Sequence, residues 1–284
     1  MARIGFAPHA ERPQATDIAK ETVLWLERQG HTAYVFPEVP SAPEGTQRLD
    51  GFDLDGLDLM VSLGGDGTML RAVSMVVGRD VPVLGVNFGR FGYLTAAEPD
   101  GLHAAIERFL AGDYVLERRM TLDTLVLPEG SRVARARSTA INDVVLSRPS
   151  SAHTVHVRVA ITGRQFLSYA ADAMIVSSAT GSTGYNFSAR GPIVSPKLRC
   201  LVVTPVSPHM LFDRSLVLDS TDEVALRVEG RADAELAIDG DARGKVAVGE
   251  RVVCRAGAHD ALLVSFGERS FETVLKSKFR LSDR

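Results

Sequence analysis

Apolar residues change their spacing near Met120, and that change limits the possible folds more than any other feature of this chain. Before it, short apolar runs such as residues 57–63 alternate with segments whose apolar residues recur every three or four positions. After it, apolar residues recur at every second position, most clearly at 155–161. The two patterns predict two domains of different kinds within one chain.

The first 118 residues are predicted to form a Rossmann-like α/β domain, because alternating strands and helices favour a parallel sheet covered by helices. Its strands are expected at residues 3–6, 32–36, 57–63 and 81–86. We expect Thr16 and Asp17 to cap the first helix and Asp100 to cap a later one. Between these two helices, another is expected to begin near Thr68.

Residues 119–261 are predicted to form a β-rich, β-sandwich-like domain, since short strands separated by Gly, Asp and Pro are typical of that architecture. A hairpin turn is expected at Gly163-Arg164. Residues 262–284 change pattern again, with a strand expected at 262–266 and a helix at 271–279. We expect this βα segment to return to the first domain.

Charge and apolar content limit the partners of such a chain. A formal net charge of -3 indicates no basic face for nucleic acid. No apolar stretch has the length of a membrane helix, and the apolar run at the N-terminus is too short for a signal peptide. Cys200 and Cys254 are too few for a disulfide framework and are expected to be half-buried free thiols. We therefore expect a cytoplasmic protein with no nucleic-acid or membrane partner.

A glycine-rich turn follows the strand expected at 57–63. Glycines at 64, 65 and 67 would let phosphate oxygens approach backbone amides, and the next helix would add free N–H groups. Asp66 would repel phosphates, so its expected role is general base toward a hydroxyl or ligand of Mg²⁺. The alternative is a tight βα turn in which Asp66 caps the helix. The turn indicates a kinase without saying which one.

A second cluster of glycines and hydroxyl residues lies in the β-rich half, from Thr180 to Tyr185 and on to Ser188. Such a loop offers many hydrogen-bond donors and little bulk. Tyr185 could stack on an adenine or nicotinamide ring. The alternative is a polar surface loop between strands.

Four segments, in this order and spacing, resemble the NAD kinase family. They are GGDGT at 64–68 continuing to Arg71, GVNFGRFGYLT at 85–95, AINDVVL at 140–146, and the stretch 172–196. The resemblance extends from Ile4 to about Phe279. It implies phosphorylation of the adenosine ribose 2′-hydroxyl of NAD to give NADP. It also implies ATP or polyphosphate as donor, Mg²⁺ as the divalent cation, and a homodimer or homotetramer.

The resemblance further implies roles for individual residues. Asp66 would activate the 2′-hydroxyl, with Gly64, Gly65 and Thr68 forming the loop that holds the phosphate donor. The positions that match contacts to NAD are Gly67, Arg71, Asn87, Phe88, Asn142, Asp143, His153, Asp172, Thr183, Gly184, Tyr185, Ser188 and Asp241. No residue is assigned as a dedicated metal ligand, although Asp66 could bind Mg²⁺.

The chain departs from the family's pattern at four positions. They are Ala173 for Gly, Ala179 for Pro, Gly184 for Ala and Arg190 for Gly. The lost proline and glycines are expected to loosen or reshape the loop. A non-catalytic NAD(P)-binding paralogue is the alternative that these changes suggest.

Two other classes of protein fit the sequence less well. A lipid kinase would share GGDGT but should lack the clusters at 142–143 and 180–185. A Rossmann dehydrogenase is disfavoured because no G-x-G-x-x-G follows the first strand.

Overall fold

The structure, a computed structural model, describes residues 1–36, 54–89, 92–149, 154–267 and 270–281. They form two compact units. One consists of Met1–Arg118 together with Ala261–Arg284, and the other of Arg119–Asp260. The first unit is thus built from two separate stretches of sequence.

The elements of the first stretch alternate between strand and helix. They are β1 (Arg3–Pro8), α1 (Pro13–Arg28), β2 (Thr32–Val35), β3 (Leu59–Gly64), α2 (Asp66–Val76), β4 (Val83–Asn87), α3 (Leu102–Leu110) and β5 (Val115–Arg119). Every residue of β3 and β4 is buried, as is typical of parallel strands covered on both faces.

The second unit is almost entirely strand. Its elements are β6 (Leu122–Leu127), β7 (Ala136–Ala140), β8 (Asp143–Ser147), β9 (Val155–Ile161), β10 (Arg164–Ala171), β11 (Ala173–Ser178), α4 (Tyr185–Ser188), β12 (Cys200–Val206), β13 (Leu216–Asp219), β14 (Glu223–Glu229), β15 (Ala234–Ile238), β16 (Asp241–Val246) and β17 (Arg251–Ala256). After it come β18 (Ala261–Ser265) and α5 (Phe271–Phe279), which belong to the first unit.

The sheet of the first unit has the order β2-β1-β3-β4-β18-β5. Its strands from β2 to β18 run parallel to their neighbours. The chain passes from β1 to β2 on one side and then to β3 on the other, so the order reverses at β1. The core of this unit packs around Phe6, Leu26, Leu63 and Ile106.

The second unit contains two six-stranded antiparallel sheets, β10-β9-β14-β17-β6-β7 and β13-β12-β11-β8-β15-β16. Apolar side chains from both sheets share one core, including Val157 and Leu226 of the first and Leu146 and Met174 of the second. These findings confirm the predicted fold class: an α/β part, a β-sandwich-like part, and a C-terminal βα segment that returns to the α/β part.

The starts predicted for the three helices α1, α2 and α3 differ from those observed. Helix α1 begins at Pro13, so Thr16 and Asp17 lie inside it, because proline favours the first helical position. Asp100 lies in a short 3₁₀ turn, and Gly101 is the N-cap of α3. Helix α2 begins at Asp66 rather than near Thr68.

The hairpin turn between β9 and β10 is also shifted by one residue from the prediction. It is formed by Thr162 and Gly163, whose φ values are 47° and 76°. Both central residues therefore have positive φ, which is the requirement of a type I′ hairpin turn. The same turn recurs at Asp239-Gly240 between β15 and β16, with φ values of 51° and 86°.

Cys200 and Cys254 are both buried, not half-buried, and neither forms a disulfide. Burial raises the pKa of Cys254 to about 12. Separately, the described ranges contain no helix that combines the length and apolar character needed to span a membrane.

Candidate active site

The glycine-rich turn lies between β3 and α2, at the carboxyl end of the sheet where the strand order reverses. In parallel sheets, ligands bind at such a switch point. The residues that follow the neighbouring strands β1 and β4 are hydrogen-bonded to it. His9 N–H donates to the Leu63 carbonyl (2.9 Å), and Phe88 N–H donates to the Gly64 carbonyl (2.8 Å). Gly65, in extended conformation, is the N-cap of α2.

The Asp66 carboxylate is fixed by a loop and does not cap its own helix. Tyr93 N–H donates to Oδ2 and Leu94 N–H donates to Oδ1, both at 3.1 Å. The Lys278 ammonium lies 3.8 Å from Oδ2. About a third of the Asp66 side chain remains exposed, 31%. The helix-cap alternative for Asp66 is therefore wrong, and the carboxylate is held in a defined orientation that solvent can reach.

The four glycines around Asp66 have two different roles. A β-carbon at Gly92 would overlap Asp66 Oδ1, and one at Gly64 would overlap the Thr68 side chain. A β-carbon at Gly65 or Gly67 would meet no atom within 4 Å. Gly64 and Gly92 therefore permit close packing, while Gly65 and Gly67 leave the outer side of the turn open.

The other predicted residues of this unit shape the loops beside the turn. Asn87 is only 2% exposed, and its side-chain amide exchanges two hydrogen bonds with the backbone of Gly89, at 2.9 and 3.2 Å. Phe88 packs against the core, and its carbonyl accepts a hydrogen bond from Arg12 Nη1. Arg71 Nη2 donates to the Pro8 carbonyl at the end of β1 (3.3 Å).

A second cluster of polar groups, in the other unit, is centred on the turn 141–143. The Asp239 carboxylate accepts backbone N–H groups from Ile141 (2.8 Å), Asn142 (2.7 Å) and Asp143 (3.0 Å). In return, Asp239 N–H donates to the Asp143 carbonyl (3.0 Å). The type I′ hairpin thus delivers one carboxylate that fixes three consecutive amides.

Two carboxyl groups therefore lie together in this cluster. Asp143 is only 5% exposed, and burial, followed by the charge of Asp239, raises its pKa to about 7. Burial also raises the pKa of Asp239, although the three backbone N–H groups oppose that shift. Of the two carboxyl groups, Asp143 is the one whose pKa is raised to near neutral pH.

We expect Asp143 to make the protein less stable as the pH rises from about 4 to about 7. In this window the folded state binds more protons than the unfolded state, so the stabilising effect is complete below the unfolded pKa and lost as the folded pKa is passed. From about pH 5 to about pH 8 this contribution should amount to about 3 kcal/mol. Urea unfolding of the wild type and Asp143→Asn at both pH values measures it.

Asp143→Asn should remove that part of the pH dependence. The matched control is Asp213→Asn, whose carboxylate is 56% exposed in the same unit and should leave the pH dependence as in the wild type. Equal pH dependence in the wild type and Asp143→Asn would contradict the raised pKa.

The loop from Thr180 to Tyr185 packs directly against the turn 141–143. Ser178 Oγ donates to the Ile141 carbonyl (2.5 Å) and accepts from Gly181 N–H (3.2 Å). A β-carbon at Gly181 would overlap the Asn142 backbone. At Gly184 it would lie 3.7 Å from Asn142 Nδ2 and 3.8 Å from Asp143 Oδ2. The structure thus brings the two predicted clusters of this unit together.

Comparison with known proteins identifies the family. The model of the ATP-NAD kinase N-terminal domain matches residues 4–114, and that of the ATP-NAD kinase C-terminal domain matches residues 141–266. The NAD kinase of Geobacter sulfurreducens is 34% identical over the whole of both chains. That of Gemmatimonas aurantiaca is 41% identical over 78% of this chain and 77% of its own. The chain belongs to the NAD kinase family.

Two solved structures of NAD or NADH kinases have the same fold. Yeast NADH kinase complexed with NADH gives a TM-score of 0.88 at 21% identity, covering 100% of this chain and 89% of the yeast chain. An NAD kinase from Archaeoglobus fulgidus in complex with ATP gives 0.75 at 23% identity, covering 99% of both chains. The resemblance seen in the four sequence segments is confirmed.

At two of the four departures from the family's pattern, the backbone of the loop keeps the conformation that the family's residue favours. Ala179 is buried with φ of -58°, close to the value that proline would impose. Arg190 has φ of 64°, in the left-handed region where the family's glycine has no steric penalty. The backbone at these two positions therefore keeps the conformations that proline and glycine favour.

Sequence reasoning missed two residues that organise the NAD kinase signature. Asp239 is one, although the Asp-Gly pair of its hairpin was a visible signal. The other is Asn186, which is fully buried. Its Nδ2 donates to the carbonyls of Ser182 (3.2 Å) and Pro192 (3.1 Å), and Thr204 Oγ1 donates to its Oδ1 (2.6 Å).

The remaining predicted contacts that the structure describes in the second unit are exposed or partly exposed. Asp172 forms an ion pair with Arg148 (3.1 Å). Tyr185 is 45% exposed, Ser188 is exposed, and Thr183 is half-buried. Asp241 and His153 complete the set: Asp241 is exposed with its carboxylate 3.4 Å from Arg243 Nη2, and His153 lies outside the described residues.

Proposed function

We propose that this chain is an NAD kinase that transfers the terminal phosphoryl group of ATP to the adenosine ribose 2′-hydroxyl of NAD, forming NADP. The observation that carries this proposal is the Asp66 carboxylate, held by two backbone N–H groups at the open side of a glycine-rich turn. The full-length relatives named NAD kinase, and the solved relatives bound to NADH and to ATP, support it.

In the proposed mechanism, Asp66 accepts the proton of the 2′-hydroxyl as that oxygen attacks the terminal phosphorus in line. The new O–P bond forms while the bond to the leaving ADP oxygen breaks, and the proton remains on Asp66. Two carboxylate oxygens offer about four lone-pair directions. Tyr93 and Leu94 occupy two of them, so Asp66 can be oriented by the loop and still accept a proton from substrate.

Phosphoryl transfer depends mainly on positioning and on neutralising charge. The open side of Gly65 and Gly67 adjoins the N-terminus of α2, whose amides and dipole favour anions. We assign the donor phosphates to this loop, Gly64 to Thr68, with Arg71 nearby. Polyphosphate would present the same chemical groups, so it is the alternative donor.

Mg²⁺ is the proposed metal. The described part of the chain holds no group of three or more His, Cys, Asp or Glu side chains placed to bind a metal ion. Mg²⁺ commonly needs only one or two protein carboxylates beside substrate phosphates. Asp66, a hard oxygen ligand at the turn, fits that requirement as the alternative to its role as general base. The ion would supply charge neutralisation on the donor phosphates.

We assign binding of NAD in the second unit to the turn 141–143 and the loop 180–185 that packs on it. Asn142, Asp143 and Gly184 lie at the centre of this region. The polar side chains of Asn142 and Asp143 and the half-exposed ring of Tyr185 suit ribose hydroxyls and a flat base. The peripheral contacts proposed in this unit are His153, Asp172, Thr183, Tyr185, Ser188 and Asp241. In the first unit, Gly67, Asn87 and Phe88 are proposed to contact the adenosine side.

A pair of glycine substitutions tests whether the loop 180–185 packs closely on the turn 141–143. Gly181→Ala should lower stability by about 1–3 kcal/mol and weaken NAD binding, because its β-carbon overlaps the Asn142 backbone. Gly184→Ala is the control for stability alone, because Gly184 is itself assigned to NAD binding and its β-carbon would come no closer than 3.3 Å to the groups around it. Thermal unfolding measures the stability of both variants, and calorimetric NAD titration measures binding by Gly181→Ala. Equal loss of stability in the two variants would contradict the packing of the loop on the turn 141–143.

The activity itself is tested with purified protein, Mg²⁺, NAD or NADH, and either ATP or polyphosphate. NADP or NADPH is detected through a coupled, NADP-specific dehydrogenase. Product with one donor establishes the function and identifies that donor. Binding of NAD without product from either donor would favour the non-catalytic paralogue, and phosphorylation of a lipid instead of NAD would favour the lipid kinase.

We also propose a cytoplasmic homodimer or homotetramer, as the family resemblance implies. Light scattering coupled to size-exclusion chromatography measures the mass in solution directly. A monomer at assay concentrations would contradict the assembly without affecting the assignment of activity.

A further inference from the structure

The helix α5 brings a positive charge to Asp66. Lys278 Nζ lies 3.8 Å from Asp66 Oδ2 and 4.5 Å from the centre of the Tyr93 ring. The separation from Oδ2 exceeds hydrogen-bond distance, so the ammonium attracts the carboxylate without donating to it. Its three N–H donors are therefore not used on Asp66. The Lys278 side chain is 30% exposed, which leaves it accessible to a substrate.

Helix α5 is fixed at its N-terminus although none of its residues is buried. It therefore adds nothing to the buried core of the first unit. Its first turn is nevertheless fixed by an N-cap, in which Ser270 Oγ accepts Thr273 N–H (3.2 Å). Lys278 lies in its last turn, where the helix dipole favours a cation. The helix is thus a defined support for that side chain.

Charge moves during the proposed reaction, and Lys278 lies where it would be stabilised. Before transfer, the negative charge is on Asp66. When Asp66 takes the hydroxyl proton, it becomes neutral, and the charge shifts to the attacking oxygen and the phosphoryl oxygens. A cation next to Asp66 loses one partner and gains another. Such an interaction is stronger in the transition state than in the ground state, which is what accelerates a reaction.

We propose that Lys278 is a further catalytic residue, which contacts the phosphoryl group as it passes from the donor to the 2′-hydroxyl. This inference rests on the proposed function. Lysine suits the task because its flexible stem and rotatable donors let it turn from a carboxylate to a phosphoryl oxygen. The lysine stays protonated throughout, so the balance of atoms is that of the transfer itself. The Tyr93 ring provides a surface along which the ammonium can move.

Three variants of the full chain test the proposal. Lys278→Met should lower kcat by about 100-fold with KM for ATP and NAD changed by less than about threefold, because the contact forms in the transition state. Lys278→Arg should recover part of the lost kcat, since it restores the charge. Lys276→Met removes a lysine from the same turn of α5 and should keep wild-type rates. Thermal unfolding of each variant separates loss of folding from loss of catalysis.

Several results would contradict a catalytic role of Lys278. A kcat for Lys278→Met within about twofold of the wild type would overturn the proposal, as would a rise in KM for ATP with unchanged kcat, which indicates ground-state binding only. Loss of kcat equal in Lys278→Arg and Lys278→Met, together with lowered thermal stability in both, would indicate a structural role and also overturn it. An inactive wild type and Lys276→Met would instead refute the proposed function.

Discussion

Asp66→Asn is expected to lower kcat by about 1,000-fold while NAD affinity stays within about threefold of the wild type. Asparagine has nearly the same shape, and its carbonyl oxygen can still accept one of the two loop N–H groups that hold Asp66. It cannot take the proton of the 2′-hydroxyl. The step that fails is therefore the transfer, and substrate binding is preserved. Steady-state kinetics and calorimetric titration with NAD provide the two measurements.

A surface carboxylate of the same unit provides the control. Asp100 is exposed in the short turn before α3, and Asp100→Asn should keep wild-type kcat. A large loss of NAD affinity in Asp66→Asn, with substantial turnover remaining, would be incompatible with Asp66 as the general base. It would assign Asp66 to binding.

Asp239→Ala is expected to lower the free energy of unfolding by about 3–5 kcal/mol. The substitution leaves three backbone N–H groups, at residues 141–143, without the carboxylate that they share. Alanine also tolerates the left-handed φ of 51° less well than aspartate. The lost repulsion with Asp143 offsets only part of this cost. Chemical denaturation at fixed pH measures the difference.

Two variants of the same hairpin define the cause of that loss. Asp241→Ala removes an exposed carboxylate two residues away and should change stability by less than about 0.5 kcal/mol. Asp239→Asn keeps one acceptor oxygen and a residue type that accepts positive φ, so its cost should lie between the other two. Equal stability of Asp239→Ala and Asp241→Ala would show that the three amides do not depend on Asp239.

Much of the fold could be predicted from local pattern. The alternating residues of β9 and the bounds of α5, 271–279, were anticipated because side-chain periodicity carries that information directly. The starts of α1, α2 and α3 were not, since several residue types can cap a helix. In α1 the proline at position 13 determined the start, whereas Thr16 offered an equally plausible local signal.

The candidate site shows a different limit. Asp66 and the turn 141–143 could be recognised because each belongs to a compact motif. Asp239 acts on residues almost a hundred positions earlier, and Lys278 lies more than two hundred positions after Asp66. Nothing in the local pattern of either residue reveals its partner. Only the pairing of distant strands and helices brings these charges together.

The position of β18 between β4 and β5 affects how the protein can be made. Before β18 emerges from the ribosome, the entire second unit has been synthesised, and β4 and β5 have no strand to join them. The nascent first unit must therefore remain incomplete while a β-rich insertion folds, which exposes unpaired strand edges for longer than a contiguous domain would. Folding of this sheet is expected to be limited by that long-range closure. Because α5 follows β18, the lysine assigned to catalysis arrives only after this closing strand, so an unfinished chain would have the glycine-rich turn without its cation.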